Sequence, residues 1–327
     1  MYLAYTSFAV RLAQGRDLVR TSAAGFGPGV FRDLCTRFGA AGAQIDLSQI
    51  PADPEALTAI RDAFARAGVA IELSLPARVL ESPAAYAQAV SVARALGARC
   101  ARVALLSGRR YETFATAEAW SAFSARWQET LVRMRPEFER HQLAIGIENH
   151  KDWCASELVT VLRAVDSRYV GACVDFGNNL ALLEPPDETI ALLAPFAITT
   201  HLKDMAVRRT AEGFDLSEVP LGQGILPLGR YIERIRAARP EARLCLEMIT
   251  RDPLSVPCRT DRYWTTFGPS PTRAERLERF EAAVRSQARA DLPRVSGLSP
   301  EAQRAAEDDN VRACVTHARD VLHLESN

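Results

Sequence analysis

Four residues able to bind a hard cation close four successive apolar runs in the second half of the chain. They are Glu148 in AIGIENH, Asp175 in GACVDFGNN, His201 in AITTHLKD and Glu247 in RLCLEM. A carboxylate or imidazole at the end of an apolar strand is costly unless it is paired, hydrogen-bonded or bound to a metal. Four of them at the same relative place point to one shared purpose. Three carboxylates and an imidazole meeting at one point make a divalent-metal site with hard ligands. Alternate side chains of an extended strand share a face, so His150 follows Glu148 and Lys203 follows His201 toward the same side. The expected site therefore holds a metal, a second imidazole and an ammonium.

Taken singly, each residue has a plainer use. A strand-end carboxylate often caps the next helix, and a lone histidine is often a satisfied core residue. Asp175 has no immediate helix to cap, because the next helical segment starts beyond Asn178 and Asn179. Asp46 and Glu72 also close early apolar runs and read as structural or ligand-orienting residues. Trp120, Phe123 and Trp127 recur at helical spacing and read as packing. Tyr263 and Trp264, in a late loop, are expected to cover a substrate or a neighbouring subunit.

The elements that must position these residues follow from periodicity. Apolar runs near 3–9, 43–48, 69–75, 100–106, 143–149, 170–176, 197–203 and 243–249 alternate with amphipathic segments throughout. Asp53-Pro54 and Ser82-Pro83 carry helix-start chemistry, and Gly39, Gly68 and Gly97 sit where left-handed helix ends belong. No GxGxxG follows the first run, which argues against an open dinucleotide-binding sheet. Eight strand–helix units predict a single α/β fold, a closed (β/α)8 TIM barrel over residues 1–290. A helical extension over residues 291–327 is expected to pack on it. Strand ends converge on one mouth in such a barrel. Residues 204–226 and 250–270 break the rhythm and are expected to be long loops over that mouth, as lids or subunit contacts.

The bulk composition narrows the function. The 327 residues carry 40 basic and 40 acidic side chains, for zero formal charge, which argues against a nucleic-acid-binding face. The seven cysteines are scattered without a CxxC pair, the pattern of reduced thiols in a cytoplasmic protein. No apolar run is long enough to span a bilayer.

IENH, VDFGN, THLKD and LEM, in this order, resemble the xylose isomerase-like TIM-barrel superfamily of sugar-phosphate isomerase/epimerase-like proteins. The resemblance implies that Glu148, Asp175, His201 and Glu247 bind one divalent ion: manganese, magnesium, cobalt or zinc. It also implies that Glu148 and Glu247 move protons on opposite faces of a small polyhydroxy keto substrate, through an enediolate. Ketose 3-epimerases carry a histidine three positions after the metal aspartate. Here Asn178 stands there, able to bond a hydroxyl but not to titrate near neutrality. Lys203 is expected to neutralise a substrate carboxylate or to donate a proton. His150, Asn178, Arg109 after the fourth strand and Arg251 after the eighth are the expected substrate contacts.

The leading expectation is a metal-dependent isomerase or epimerase for a small ketose, keto-sugar acid or inosose-like compound. A lyase that decarboxylates or dehydrates a 3-oxo sugar acid stands beside it. A nuclease resembling endonuclease IV would need many more histidines than the five present. Members of the superfamily commonly pair, so a homo-oligomer is expected, with neither nucleic acid nor membrane as partner.

Overall fold

Eight short strands pair in parallel in the order β10-β1-β2-β3-β4-β5-β6-β7. They are β1 (Tyr2–Ala4), β2 (Gly42–Asp46), β3 (Ala70–Pro76), β4 (Cys100–Ala104), β5 (Ala144–Glu148), β6 (Val170–Asp175), β7 (Ala197–His201) and β10 (Cys245–Leu246). The sheet closes on itself: Leu202 N donates to Cys245 O at 2.7 Å and Glu247 N to Leu202 O at 3.0 Å. This computed structural model describes residues 1–18, 26–269, 271–285 and 287–324. Within them the chain forms the expected (β/α)8 barrel.

Helices α1 (Ala9–Leu18), α2 (Pro28–Arg37), α3 (Pro54–Arg66), α4 (Pro83–Leu96), α5 (Arg110–Thr113), α6 (Ala117–His141), α7 (Ala155–Val165), α8 (Pro186–Leu193), α9 (Leu228–Ala238), α10 (Asp261–Trp264) and α11 (Arg273–Val284) follow the strands, and α12 (Pro300–Asp320) comes last. Their starts have local causes. Asp53 accepts Ala56 N at 2.8 Å and Ser82 accepts Ala85 N at 3.2 Å, each satisfying an orphan donor of the first turn. Trp120 and Trp127 are buried in the packing stripe, as the spacing indicated.

The first strand is shorter than its apolar run. After Ala4 the chain turns into a 3-10 segment, Tyr5–Phe8. Ser7 Oγ there donates to Leu246 O and accepts Met248 N, both at 3.1 Å, tying the turn to the end of the last barrel strand.

The two stretches expected as loops are instead built around a second sheet. β8 (Asp204–Arg209) and β9 (Phe214–Val219) form an antiparallel hairpin, and β11 (Leu254–Val256) pairs with β9. At Gly213, with φ 152°, an added Cβ would stand 2.2 Å from Val256 O, so the hairpin turn requires glycine where β11 approaches. The Asp204 carboxylate gathers Met205 N, Gly222 N, Gly224 N and Leu226 N at 2.8–3.1 Å, holding the return from the hairpin. Tyr263 and Trp264 each spend their polar atom on the protein backbone. Tyr263 is buried with its hydroxyl on Ala181 O at 2.8 Å, and Trp264 Nε1 donates to Cys258 O at 2.7 Å.

All seven cysteines are buried free thiols. No helix among the described residues is long and apolar enough to cross a membrane.

Candidate metal centre

Glu148 ends β5, Asp175 ends β6, His201 ends β7, and Glu247 follows β10. Adjacent strands place these residues side by side; Asp175 and His201 are direct partners across the β6–β7 ladder. One donor atom from each of the four lies within 4.8 Å of every other, and all four residues are buried. His201 Nδ1 stands 3.4 Å from Glu148 Oε1, 3.4 Å from Glu247 Oε2 and 3.7 Å from Asp175 Oδ2. That nitrogen is buried and makes no hydrogen bond. Donors about 2.0–2.2 Å from a shared divalent ion stand about 3.0–3.6 Å apart, close to the spacing seen here. The donor set fits a single ion with hard ligands.

The imidazole is aimed by a relay from the early strands. Gln44 on β2 and Glu72 on β3 are ladder partners. Gln44 Nε2 donates to Glu72 Oε1 at 2.7 Å, which turns the amide oxygen toward His201 Nε2 at 2.9 Å. Nε2 must then carry the hydrogen, and Nδ1 faces the carboxylates. Burial opposes a charge on His201, yet the Glu247 and Glu148 carboxylates hold its pKa well above the ordinary value. The convergence of three carboxylates on one imidazole nitrogen thus marks the place a cation would take. Glu72 is held in turn by Thr199 Oγ1 at 3.1 Å, so it lies inside the barrel rather than at a strand end.

Each carboxylate is anchored. Arg102 on β4 gives two N–H groups to Glu148 Oε2 and a third to Ser74 Oγ at 3.1 Å. Asn178 Nδ2 donates to Glu148 Oε1 at 3.0 Å. Burial would raise the Glu148 carboxyl, but Arg102 and His201 hold it well below its usual range. Glu247 accepts Thr6 Oγ1 at 2.7 Å and Lys203 Nζ at 2.5 Å. Burial, His201 and Lys203 act on it in that order, and the two cations win, so it too stays low. Lys203 Nζ also lies 2.9 Å from Asp175 Oδ2. Asp175 Oδ1 accepts Gly177 N at 2.9 Å and Asn178 N at 2.8 Å, so it does cap the short turn Asn178–Leu182 that follows it.

Beside Glu247 opens a cavity of ≈ 120 Å³ lined by Tyr5, Thr6, Gln44, Ser74 and Arg102 among others. At roughly 10–15 Å³ per water position it has room for a small polar molecule and not for a polymer.

Residues 33–280 match the protein family described as xylose isomerase-like TIM barrel. The chain belongs to this family. Among relatives, a 3-oxo-isoapionate decarboxylase of Pectobacterium atrosepticum is 35% identical over 113 residues, covering 33% of this chain and 41% of that protein. The chain thus matches less than half the length of that relative. Among solved structures, a D-psicose 3-epimerase has 15% identity and a TM-score of 0.60, with 98% of both chains covered. A xylose isomerase-like TIM barrel protein from Mycobacterium smegmatis, in complex with magnesium, has 14% identity and a TM-score of 0.57, covering 87% of this chain and 97% of that one. At these identities the two structures speak for the fold alone.

Of the other expected residues, Asn178 and Lys203 touch the cluster and Arg109 pairs elsewhere. His150 is half-buried with Nδ1 2.8 Å from Leu106 O, and burial lowers its pKa to about 4, so it is a neutral imidazole. Asn178 bonds the Glu148 carboxylate rather than standing free. Arg109 pairs with its helical neighbour Glu112 at 2.5 Å. Arg251 pairs with Glu218 at 2.9 Å, and Glu218 lies 3.7 Å from Lys203. Lys203 pairs with two carboxylates of the cluster, Asp175 and Glu247. Gln44, Thr6 and Arg102 escaped the sequence reading, because a single polar residue in or after an apolar run gives no spacing signal.

Proposed function

We propose that this protein is a divalent-metal-dependent lyase that decarboxylates a small 3-oxo sugar acid. The observation that carries this reading is that every oxygen of Glu148 and Glu247 is engaged, three of the four with a nearby cationic or hydrogen-donating side chain of Arg102, Lys203 or Asn178 and the fourth with Thr6. Exchange of a carbon-bound proton needs a carboxylate basic enough to take it. Carboxylates pinned in this way are weak bases. Loss of carbon dioxide needs no such base, and the decarboxylase similarity points the same way. This reverses the order in which the sequence alone places the two chemistries.

An ion of manganese, magnesium, cobalt or zinc held by Glu148, Asp175, His201 and Glu247 would supply a Lewis acid for the keto oxygen. Arg102 and Ser74, in the cavity wall, are placed to bind the hydroxyls beside it. The bond between the carboxyl carbon and its neighbour breaks, its electron pair moves toward the keto oxygen, and carbon dioxide leaves. A proton then adds to the carbon left behind. Pinning by Arg102 and Lys203 keeps both glutamates ionised, so neither protonates and leaves the cluster.

Isomerisation or epimerisation of a keto sugar is the second reading. It is favoured by Glu148 and Glu247 both lying 3.4 Å from His201 Nδ1, which brings the two carboxylates of a two-base exchange to one centre. Mass analysis of products from candidate 3-oxo sugar acids and ketoses separates the two. The expected result is loss of carbon dioxide, abolished by a chelator and restored by a divalent ion. A product isomeric with its substrate, heavier only by deuterium taken up from heavy water, would overturn the lyase reading in favour of the second. Full turnover in chelator would overturn both.

A further inference from the structure

The chain carries 40 lysines and arginines, and only two of them, Lys151 and Lys203, are lysine. Both are at the metal centre. Surface ion pairs elsewhere are made by arginine, so a lysine at these two places points to a need for a compact ammonium rather than a planar fork. Lys203 is accounted for by Asp175 and Glu247. Lys151 is not. It lies three residues past Glu148, is only 7% exposed, and its ammonium has no ion pair or hydrogen bond among the described residues. Most of the side chain is buried, yet the ammonium itself still meets solvent and is open to a ligand.

The backbone around Lys151 is held for a purpose. Its φ of 65° is left-handed, an unfavourable choice for a long side chain. Neighbours impose it: Arg110 N donates to Lys151 O at 3.0 Å, and Asp152 Oδ1 collects His150 N at 2.9 Å and Trp153 N at 2.8 Å. Strain that the surroundings fix in this way gathers at ligand-binding positions. Burial and then the nearby charges of Lys203 and Arg251 lower the Lys151 pKa to about 8, while Asp175 and Glu218 oppose them. The charges of Lys203, Arg251, Asp175 and Glu218 are thus the ones that reach the ammonium.

Charge balance gives the sign of the missing partner. With His201 neutral, as a ligand to an ion must be, Glu148, Asp175, Glu247 and Glu218 face Arg102, Lys203 and Arg251, one cation short of neutrality. A divalent ion tips the site positive, and Lys151 adds a further charge. The pocket with its ion in place calls for an anion.

We propose that Lys151 is a specificity-determining residue that receives the carboxylate of the substrate while the keto and hydroxyl oxygens lie at the four-residue cluster. This rests on the reading above that the substrate is an acid. The test is binding, not turnover. Two unreactive probes share a diol and differ at the far end: 3,4-dihydroxybutanoate carries a carboxylate and butane-1,2,4-triol a hydroxyl. Their affinities for the magnesium-loaded full chain are measured by calorimetry for the wild type, Lys151→Met and Lys151→Gln.

The wild type is expected to prefer the acid. Both variants should lose roughly 10- to 100-fold in acid affinity, the worth of one charged hydrogen bond, with triol affinity and magnesium affinity unchanged. Removing a charge that has no partner within the protein should leave both variants folded. A preference for the acid that survives in both variants overturns the role of Lys151 alone. Equal loss for acid and triol would show a merely structural residue and overturn it too. A wild type that takes the triol as well as the acid overturns the acid-substrate reading itself.

Discussion

At the scale of single residues, the centre depends on a side chain with no charge. Gln44 hands its oxygen to His201 Nε2 because its nitrogen is occupied by Glu72, and that exchange leaves Nδ1 facing the acids. Gln44→Leu keeps the volume and removes both bonds. The ring is then free to rotate, and its buried Nε2–H loses its acceptor. Metal affinity measured by calorimetry with manganese should fall by roughly 10- to 100-fold, the usual effect of removing an outer partner of a ligating histidine. An affinity within about twofold of wild type would show that packing alone orients the ring. The four residues of the cluster were legible in the sequence because they recur at one place in four successive strands. Gln44, Thr6 and Arg102 were not. Gln44 and Arg102 come from early strands where a polar residue among apolar ones has many uses. Only the ladder, with Gln44 beside Glu72 and Arg102 beside Gly146, makes them neighbours of the site.

At the scale of elements, the barrel strands and most helices were readable from periods of two and 3.6, helped by Asp53 and Ser82 at helix starts. The β8–β9 hairpin was not. Its strands carry charges at Asp204, Arg208, Arg209, Asp215 and Glu218, and it is completed by β11 from beyond the last barrel strand. A pairing partner some 40 residues away in sequence leaves no local trace, as the register Leu254–Leu216 shows. Arg110 is drawn inside by stacking 4.2 Å from the Trp120 ring and by Glu157 at 2.7 Å. The hairpin matters because it begins at Asp204, next to Lys203, and delivers Glu218 to within 3.7 Å of that ammonium. Its return is fastened by the four N–H groups on Asp204. Asp204→Ala would orphan those donors in a mostly buried place. A loss of roughly 2–4 kcal/mol in urea unfolding is expected, with faster amide exchange concentrated in residues 204–226. Exchange that quickens evenly along the barrel instead would mean that Asp204 supports the whole fold rather than this element.

At the scale of the whole molecule, the C-terminal helix reaches the metal centre through one buried carboxylate. Glu307 on α12 accepts Val10 N at 2.6 Å and Arg11 Nη1 at 2.6 Å, and is itself fully buried. Val10 and Arg11 open α1, directly after the turn that presents Thr6 to Glu247. Helix α12 thus clamps the segment that holds a metal ligand, although it lies outside the matched family region. Glu307→Ala leaves the Val10 N–H unpaired, while Arg11 keeps Asp308 at 2.9 Å, so the loss should sit at the low end for a broken buried pair, roughly 3 kcal/mol. Thr6→Val removes only the bond to Glu247 and should leave unfolding nearly unchanged while weakening metal binding. The two variants and their combination form a cycle that separates stability from function. If α12 acts on the metal through Thr6, Glu307→Ala lowers metal affinity in the wild-type background and adds little once Thr6 is gone. Fully additive effects on metal affinity would show that Glu307 supports the fold and reaches the centre by another path.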